Sequence, residues 1–398
     1  MNSRLEALQP YPFQRLAQLF ADVQPPAGKP AIRLSIGEPT HRTPALISAT
    51  LVDHLDGLAR YPLTKGEPEL REAISEWLQR RFDLPHDIPN PDTHILPVNG
   101  TREALFALAQ CVIDDSYSAK AVIPNPFYQI YEGAALLAGA EPFFLECRKE
   151  NGFIPNFDSV TDGVWNDCQL LYICSPGNPT GAVIGEEQLQ TLINLADKHD
   201  FIIASDECYS EIYPNEDNPP PGLLGAAAKM GNDTFQHCVV FHSLSKRSNA
   251  PGLRSGFVAG NADILKDFLL YRTYHGCAMS PVVQAASIAA WGDESHVIEN
   301  RRLYREKFTA VQKILAPALS FELPAGGFYL WPETPEDDTL FAQRLYSEQN
   351  ITVLPGSYLS REFNGRNPGT NRIRLALVAA LDECIAAAEG IRSTLESL

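Results

Sequence analysis

Lys246 in SLSK (243–246), Asp206 and Tyr209 in SDECYSE (205–211), Asn178 in SPGNPTG (175–181) and Arg254 in GLRSGF (252–257) are the side chains with most chemistry to offer. Asn178, Asp206, Tyr209 and Lys246 each follow a short apolar run, LLYIC (170–174), FIIAS (201–205) or VVFHS (239–243), and Arg254 lies eight residues beyond the lysine. A lysine at an apolar strand end beside an arginine has its charged form disfavoured, so its neutral amine can attack a carbonyl. Hydroxyls at Ser243 and Ser245 with the Arg254 fork are the donors a phosphate dianion takes. An aspartate closing a buried strand needs a cation or donor facing it, and a pyridinium N–H meets that need. Aldehyde, phosphate and pyridine together describe pyridoxal 5'-phosphate. Taken singly, each residue has a plainer reading as a cap, a turn or a solvated lysine. Their joint spacing carries the chemistry.

Such a set must be held by a sheet whose strand ends meet. From about 95 to 260 short apolar runs alternate with helical stretches: AVIP (121–124), a helix near 128–138, FFLE (143–146), LLYIC, the amphipathic 186–200, FIIAS, VVFHS and GFVAG (256–260). That alternation predicts an α/β sheet covered on both faces, with ligands at the strand C-terminal ends. Beyond about 285 the texture becomes α+β: a long helix over 294–316, short strands around GGFYLW (326–331) and ITVLP (351–355), and a terminal helix after Ala380. Expected units are 1–50, a proline-rich arm with part of the small domain; 51–284, a large cofactor-binding domain; and 285–398, a smaller domain.

Composition excludes several classes. The 398 residues are 44% hydrophobic and 20% charged, an ordinary globular usage. A formal charge of -17 is opposite to the basic footprint of nucleic-acid binding. No apolar run approaches the ~20 residues of a membrane span, and no signal peptide opens the chain, so neither nucleic acid nor membrane is an expected partner and the expected location is cytoplasmic. The eight cysteines and nine histidines show no ligand spacing, so no metal is expected. P-loop, Rossmann, zincin and hydrolase motifs are absent.

In their order, SPGNPTG, SDECYSE, SLSK with GLRSGF, and IRLAL (373–377) resemble the fold-type I, class I/II pyridoxal-phosphate aminotransferases from about Ser35 to the C-terminal helix. The resemblance implies a mostly parallel seven-stranded sheet between helices with a smaller α+β domain. It implies that Lys246 joins the cofactor aldehyde and then shuttles the substrate proton, that Asp206 keeps the ring nitrogen protonated, and that Asn178 and Tyr209 bond the ring's phenolic oxygen. Ser243, Ser245, Arg254 and the segment NGTREAL (99–105), with Gly100, Thr101 and Arg102, are the implied phosphate site, aided by a helix N-terminus. Tyr128 matches the aromatic that stacks on the ring. Arg374 matches the clamp on the substrate α-carboxylate, with Arg372 on the same strand face held second. Gly37 in IGEPT (36–40) matches the mobile N-terminal strand. Tyr61 matches a tyrosine that reaches the phosphate of the neighbouring subunit, which implies a homodimer with shared active sites.

For substrate, the register of YPLTKGEPELREAI (61–74) and AGGFYLWPE (325–333) looks like bacterial succinyldiaminopimelate transaminases. That implies glutamate/2-oxoglutarate exchange with a succinylated diaminopimelate in lysine biosynthesis. Arg42, Lys65, Arg366 and Arg372 are the basic residues considered for its distal part. The alternatives are an aspartate, aromatic or kynurenine-type aminotransferase, or a carbon-sulfur lyase on the same fold.

Overall fold

A computed structural model describes residues 1–398. Its largest sheet has seven strands: β2 (Ile95–Val98), β3 (Lys120–Asn125), β4 (Glu141–Glu146), β5 (Cys168–Cys174), β6 (Ile202–Asp206), β7 (Cys238–Ser243) and β8 (Gly256–Gly260). They lie in the order β2-β8-β7-β6-β5-β3-β4. All pairs from β7 to β4 are parallel, whereas β8 runs antiparallel to both β7 and β2. The reason is local. Between Ser243 and Gly256 the chain makes only the short helix Leu244–Arg247 and a tight turn at Pro251–Leu253, too little for the helical crossover a parallel return requires.

Every residue of β7 and β8 is buried, because helices cover both faces. One face packs Val240, Phe257, Trp77 and Trp291; the other packs Ala204, Phe241, Tyr131 and Tyr172. Adjacent strands β5, β6 and β7 end together, with Cys174 opposite Asp206 and Asp206 opposite Phe241.

The arm is not loose. Strand β1 (Ile32–Arg33) pairs in parallel with β10 (Ile351–Thr352), and β11 (Leu354–Pro355), β12 (Ile373–Ala376) and β9 (Tyr329–Leu330) form a three-stranded antiparallel sheet. Leu16 of the helix Pro12–Leu19 packs with Trp331, Leu354 and Leu359. The helices Ala262–His275 and Pro281–Gly292 fill the interval after β8, so residues 284 and 285 both lie within a helix.

Lys307, on the helix Ser295–Leu315, is 3% exposed. Its Nζ donates to the Val378 carbonyl (3.1 Å) and lies 5.2 Å from the Tyr304 ring centre, with no carboxylate partner. Burial brings its pKa from 10.5 down to about 8. The folded state therefore binds fewer protons than the unfolded one between those values, so the penalty is fully present below pH 8 and fades as pH rises towards 10.5. Lys307→Met is expected to add on the order of 2 kcal/mol of stability at pH 7 and progressively less above pH 8. Thermal melts across this range check it; an equal or lower Tm for the variant at pH 7 contradicts it.

Candidate active site

The ends of β5, β6 and β7 border a cavity of about 580 Å³, closed on its other side by β9, β12 and the N-terminal segment. Its lining includes Gly37, Thr101, Arg102, Tyr128, Asn178, Asp206, Tyr209, Ser243, Ser245, Lys246, Arg254 and Arg374. Of the residues expected to hold the cofactor or the substrate α-carboxylate, only Gly100 and Tyr61 are missing from this wall. Gly100 sits immediately behind it, capping the helix Thr101–Val112 with φ 86°. A Cβ there would lie 2.2 Å from Arg254 Nη2. Tyr61 is 99% exposed on the outer surface.

Lys246 Nζ donates to the Gly37 carbonyl and stands 5.5 Å from the Phe328 ring centre. Its environment is desolvating, and Arg374 and Arg102 oppose its charge, so its pKa falls to about 8. A fraction of the amine is therefore neutral near pH 7, as a nucleophile requires. Asp206, 4% exposed, accepts from the Tyr131 hydroxyl (2.7 Å) and the Cys208 amide (3.3 Å). Burial nonetheless raises its pKa. A buried carboxyl with only neutral donors calls for a cation in front of it.

Arg374 extends from β12 with Nη1 on Asn178 Oδ1 (2.8 Å) and Nη2 on the Ser35 carbonyl (2.6 Å), while its Nε is buried without a partner. Its guanidinium also stacks 4.5 Å from the Tyr329 ring centre. Tyr209 meets the Tyr329 hydroxyl at 2.9 Å. Arg102 Nε donates to the Tyr128 hydroxyl at 2.5 Å, and Thr101 Oγ1 contacts Cys208 Sγ at 3.0 Å. Ser243 Oγ accepts from the Ser245 amide (3.0 Å) and donates to Ser245 Oγ (2.8 Å). Arg254 donates to the carbonyls of Pro251 (2.9 Å) and Asn99 (3.4 Å), which holds its guanidinium at the mouth of the Thr101–Val112 helix. That helix has no side-chain cap, so its first N–H groups stay available to an anion.

Several expectations need correction. Arg372 does not share the Arg374 position: it precedes β12 and pairs with Glu333 and the Trp331 carbonyl (3.0 Å), outside the cavity. Arg42, Lys65 and Arg366 also lie off the cavity wall, Lys65 beside Asp92. The histidines and cysteines are not wholly dispersed, since Glu103, His275 and Cys277 bring ligand atoms within 4.8 Å of one another. Gly276, at φ 85°, ends the helix Ala262–His275 and folds Cys277 back to 3.1 Å from His275 Nδ1. The Glu103 carboxylate is already held by the buried Arg272 (2.9 and 3.0 Å) and the Asn99 amide (3.0 Å). All eight cysteines are free thiols.

Tyr131, Tyr329 and Cys208 were not anticipated as site residues. Tyr131 is spaced three residues from Tyr128, which points it into the core beneath the first ring; that spacing was the one available signal.

A buried carboxylate, a deprotonatable lysine and an uncapped helix with serine and arginine donors suit a phosphorylated pyridine aldehyde, and with this sheet they define a pyridoxal-phosphate enzyme. The family model for aminotransferase class I and II matches residues 29–385. The chain belongs to that family. It is 32% identical over 363 residues to the LL-diaminopimelate aminotransferase of Dehalococcoides mccartyi (strain CBDB1), covering 90% of both chains. An aminotransferase structure from Neisseria meningitidis Z2491 superposes with TM-score 0.94 at 50% identity, covering 99% of each. A structure from Thermus thermophilus, described as a probable N-succinyldiaminopimelate aminotransferase, matches with TM-score 0.85 at 25% identity over 96% of this chain and 100% of that one.

Proposed function

We propose that the chain exchanges an amino group between glutamate and N-succinyl-2-amino-6-oxopimelate, producing N-succinyl-LL-2,6-diaminopimelate for lysine synthesis. The observation carrying the transamination chemistry is the convergence of Lys246, Asp206 and Arg374 on one cavity. Pyridoxal phosphate, when bound, supplies an electron sink for charge released at the substrate Cα. Lys246 would hold the cofactor at its aldehyde and would be the base that moves the proton from the substrate Cα. Asp206 keeps a proton on the ring nitrogen. Asn178 and Tyr209 donate towards the phenolic oxygen, and Tyr128 stacks on the ring. Ser243, Ser245, Arg254, Gly100, Thr101 and Arg102 receive the phosphate. Arg374 takes the substrate α-carboxylate in a two-pronged grip, with Asn178 and the Gly37 backbone beside it.

The succinylated substrate is supported by the register of the Tyr61 and Tyr329 segments and by the description of the Thermus thermophilus structure. The Dehalococcoides mccartyi relative favours a second reading, LL-diaminopimelate itself. The two differ in whether the distal amine is acylated. A donor and acceptor panel, read as 2-oxoglutarate formed or consumed, separates them. Under the first reading, kcat/KM for the succinylated compound exceeds that for LL-diaminopimelate by about tenfold or more, a ratio one well-placed polar contact can supply. The reverse order replaces the first reading with the second. Turnover confined to aspartate, aromatic amino acids or kynurenine removes both, as does pyruvate and ammonia release from cystathionine.

The site is proposed to be completed in a homodimer by Tyr61 of a second copy. Val52, Leu55, Leu58 and Leu63, all within nine residues of Tyr61 in sequence, are exposed as well, apolar surface that association would cover. Sedimentation is expected to give a dimer, and Tyr61→Phe to weaken cofactor binding. A monomer with undiminished cofactor affinity contradicts this.

A further inference from the structure

We propose that His41 and Asn300 are positioning residues for Lys246, clamping its main chain to the same segment that lies over its side chain. The inference rests on the role given above to Lys246. Asn300, 1% exposed on the helix Ser295–Leu315, donates from Nδ2 to the carbonyls of Lys246 (3.2 Å) and Arg247 (3.5 Å). Those two acceptors settle which end of the amide is oxygen. Asn300 Oδ1 then accepts from Asn249 Nδ2 (3.0 Å), and His41 Nδ1, 2.8 Å away, must carry a proton to face it.

His41 stands four residues after Gly37, whose carbonyl accepts from Lys246 Nζ. One segment therefore holds the lysine twice: at its amine through Gly37, and at its backbone through His41 and Asn300. The segment is itself anchored on either side of His41. Thr40 Oγ1 donates to the Val378 carbonyl, and Thr43 Oγ1 donates to the Asn249 carbonyl (2.8 Å). The His41 ring lies 4.7 Å from the Tyr304 ring, and its Nε2 is buried without a partner. A four-carbon side chain aims its amine only as well as its own backbone is fixed, so releasing the Asn300 contacts loosens the amine while leaving the cavity wall in place.

The test uses protein loaded with pyridoxal phosphate. His41→Phe keeps an aromatic ring against Tyr304 and removes the donor; His41→Asn returns a donor. Readouts are the pH titration of the bound cofactor's absorbance, kcat, KM and Tm. The groups that otherwise set the lysine's basicity, Cys208, Arg374, Glu38 and Arg102, stay unchanged. His41→Phe is expected to move the titration midpoint by about half a pH unit and to lower kcat about tenfold with KM within about twofold. His41→Asn is expected to recover most of both. A midpoint and kcat matching the parent protein, or a kcat loss explained by lowered Tm with the midpoint unmoved, overturns the proposal. Should His41→Phe fail to fold, Asn300→Asp, the same shape without the Nδ2 donor, is read by the same criteria. Borohydride reduction of the parent protein separates the two levels. Absence of label at Lys246 removes the role of the lysine and this inference together, whereas label at Lys246 with an unmoved midpoint removes only this inference.

Discussion

Lys246→Ala is expected to lower kcat by about 10⁴-fold or more, because the proposed mechanism gives one side chain the work of both nucleophile and acid-base group. The protein is expected to bind pyridoxal phosphate still, since the phosphate donors and Asp206 are separate from the amine. The magnitude follows from the absence of a substitute. The cavity's other cations, Arg102, Arg254 and Arg374, are guanidiniums and offer no amine. Lys246 alone among the cavity residues is a nitrogen base whose pKa, about 8, places it near the working range. The checks are single-turnover kinetics with glutamate and a spectrum lacking the band of lysine-bound cofactor. Transamination at parental rate in the variant removes the mechanism. An added primary amine restoring part of the rate identifies the lost group as a base.

Asp206→Asn is the second large effect, expected at about 10²- to 10³-fold in kcat. The amide has the shape of the carboxyl but cannot hold a proton on the ring nitrogen by charge. Tyr131 and the Cys208 amide both donate to Asp206, so its geometry is fixed from behind. Burial alone favours the neutral acid. A cationic ring opposite reverses that preference, because an opposite charge at contact distance favours the ionised carboxylate. The pair is thus mutually stabilising, and the variant is expected to hold cofactor more weakly as well as turn over more slowly. Equilibrium dialysis of cofactor alongside kcat measures both. An Asp206→Asn protein with parental affinity and rate contradicts the assignment.

The inner strands of the large sheet were legible because they are buried on both faces and read as apolar runs ended by turn residues. The run ends at 174, 205 and 243 were therefore visible, within one residue of the observed strand ends, and with them the residues that follow. The direction of β8 was not: no apolar pattern encodes whether the chain returns by a crossover or a tight turn. The small sheets were harder still. GGFYLW and ITVLP marked the places of β9, β10 and β11, but the two residues of β1 carry too little periodicity to register. Arg372 and Arg374 looked equivalent under a two-residue alternation, yet β12 begins only at Ile373 and Glu333 draws Arg372 away. Tyr329 and Asn300 make their contacts with distant elements, for which a single sequence has no local sign.

The pairing of Ser35 with Arg374, 339 positions apart, bears on how the molecule is made. During synthesis the large sheet is complete once Gly260 has emerged, but the Arg374–Ser35 contact and the roof around it do not exist until β12 leaves the ribosome. A nascent chain halted before that point can collapse around most of its core and still offer no closed pocket. Closure over Lys246 therefore comes last, long after the sheet that carries the lysine has been made.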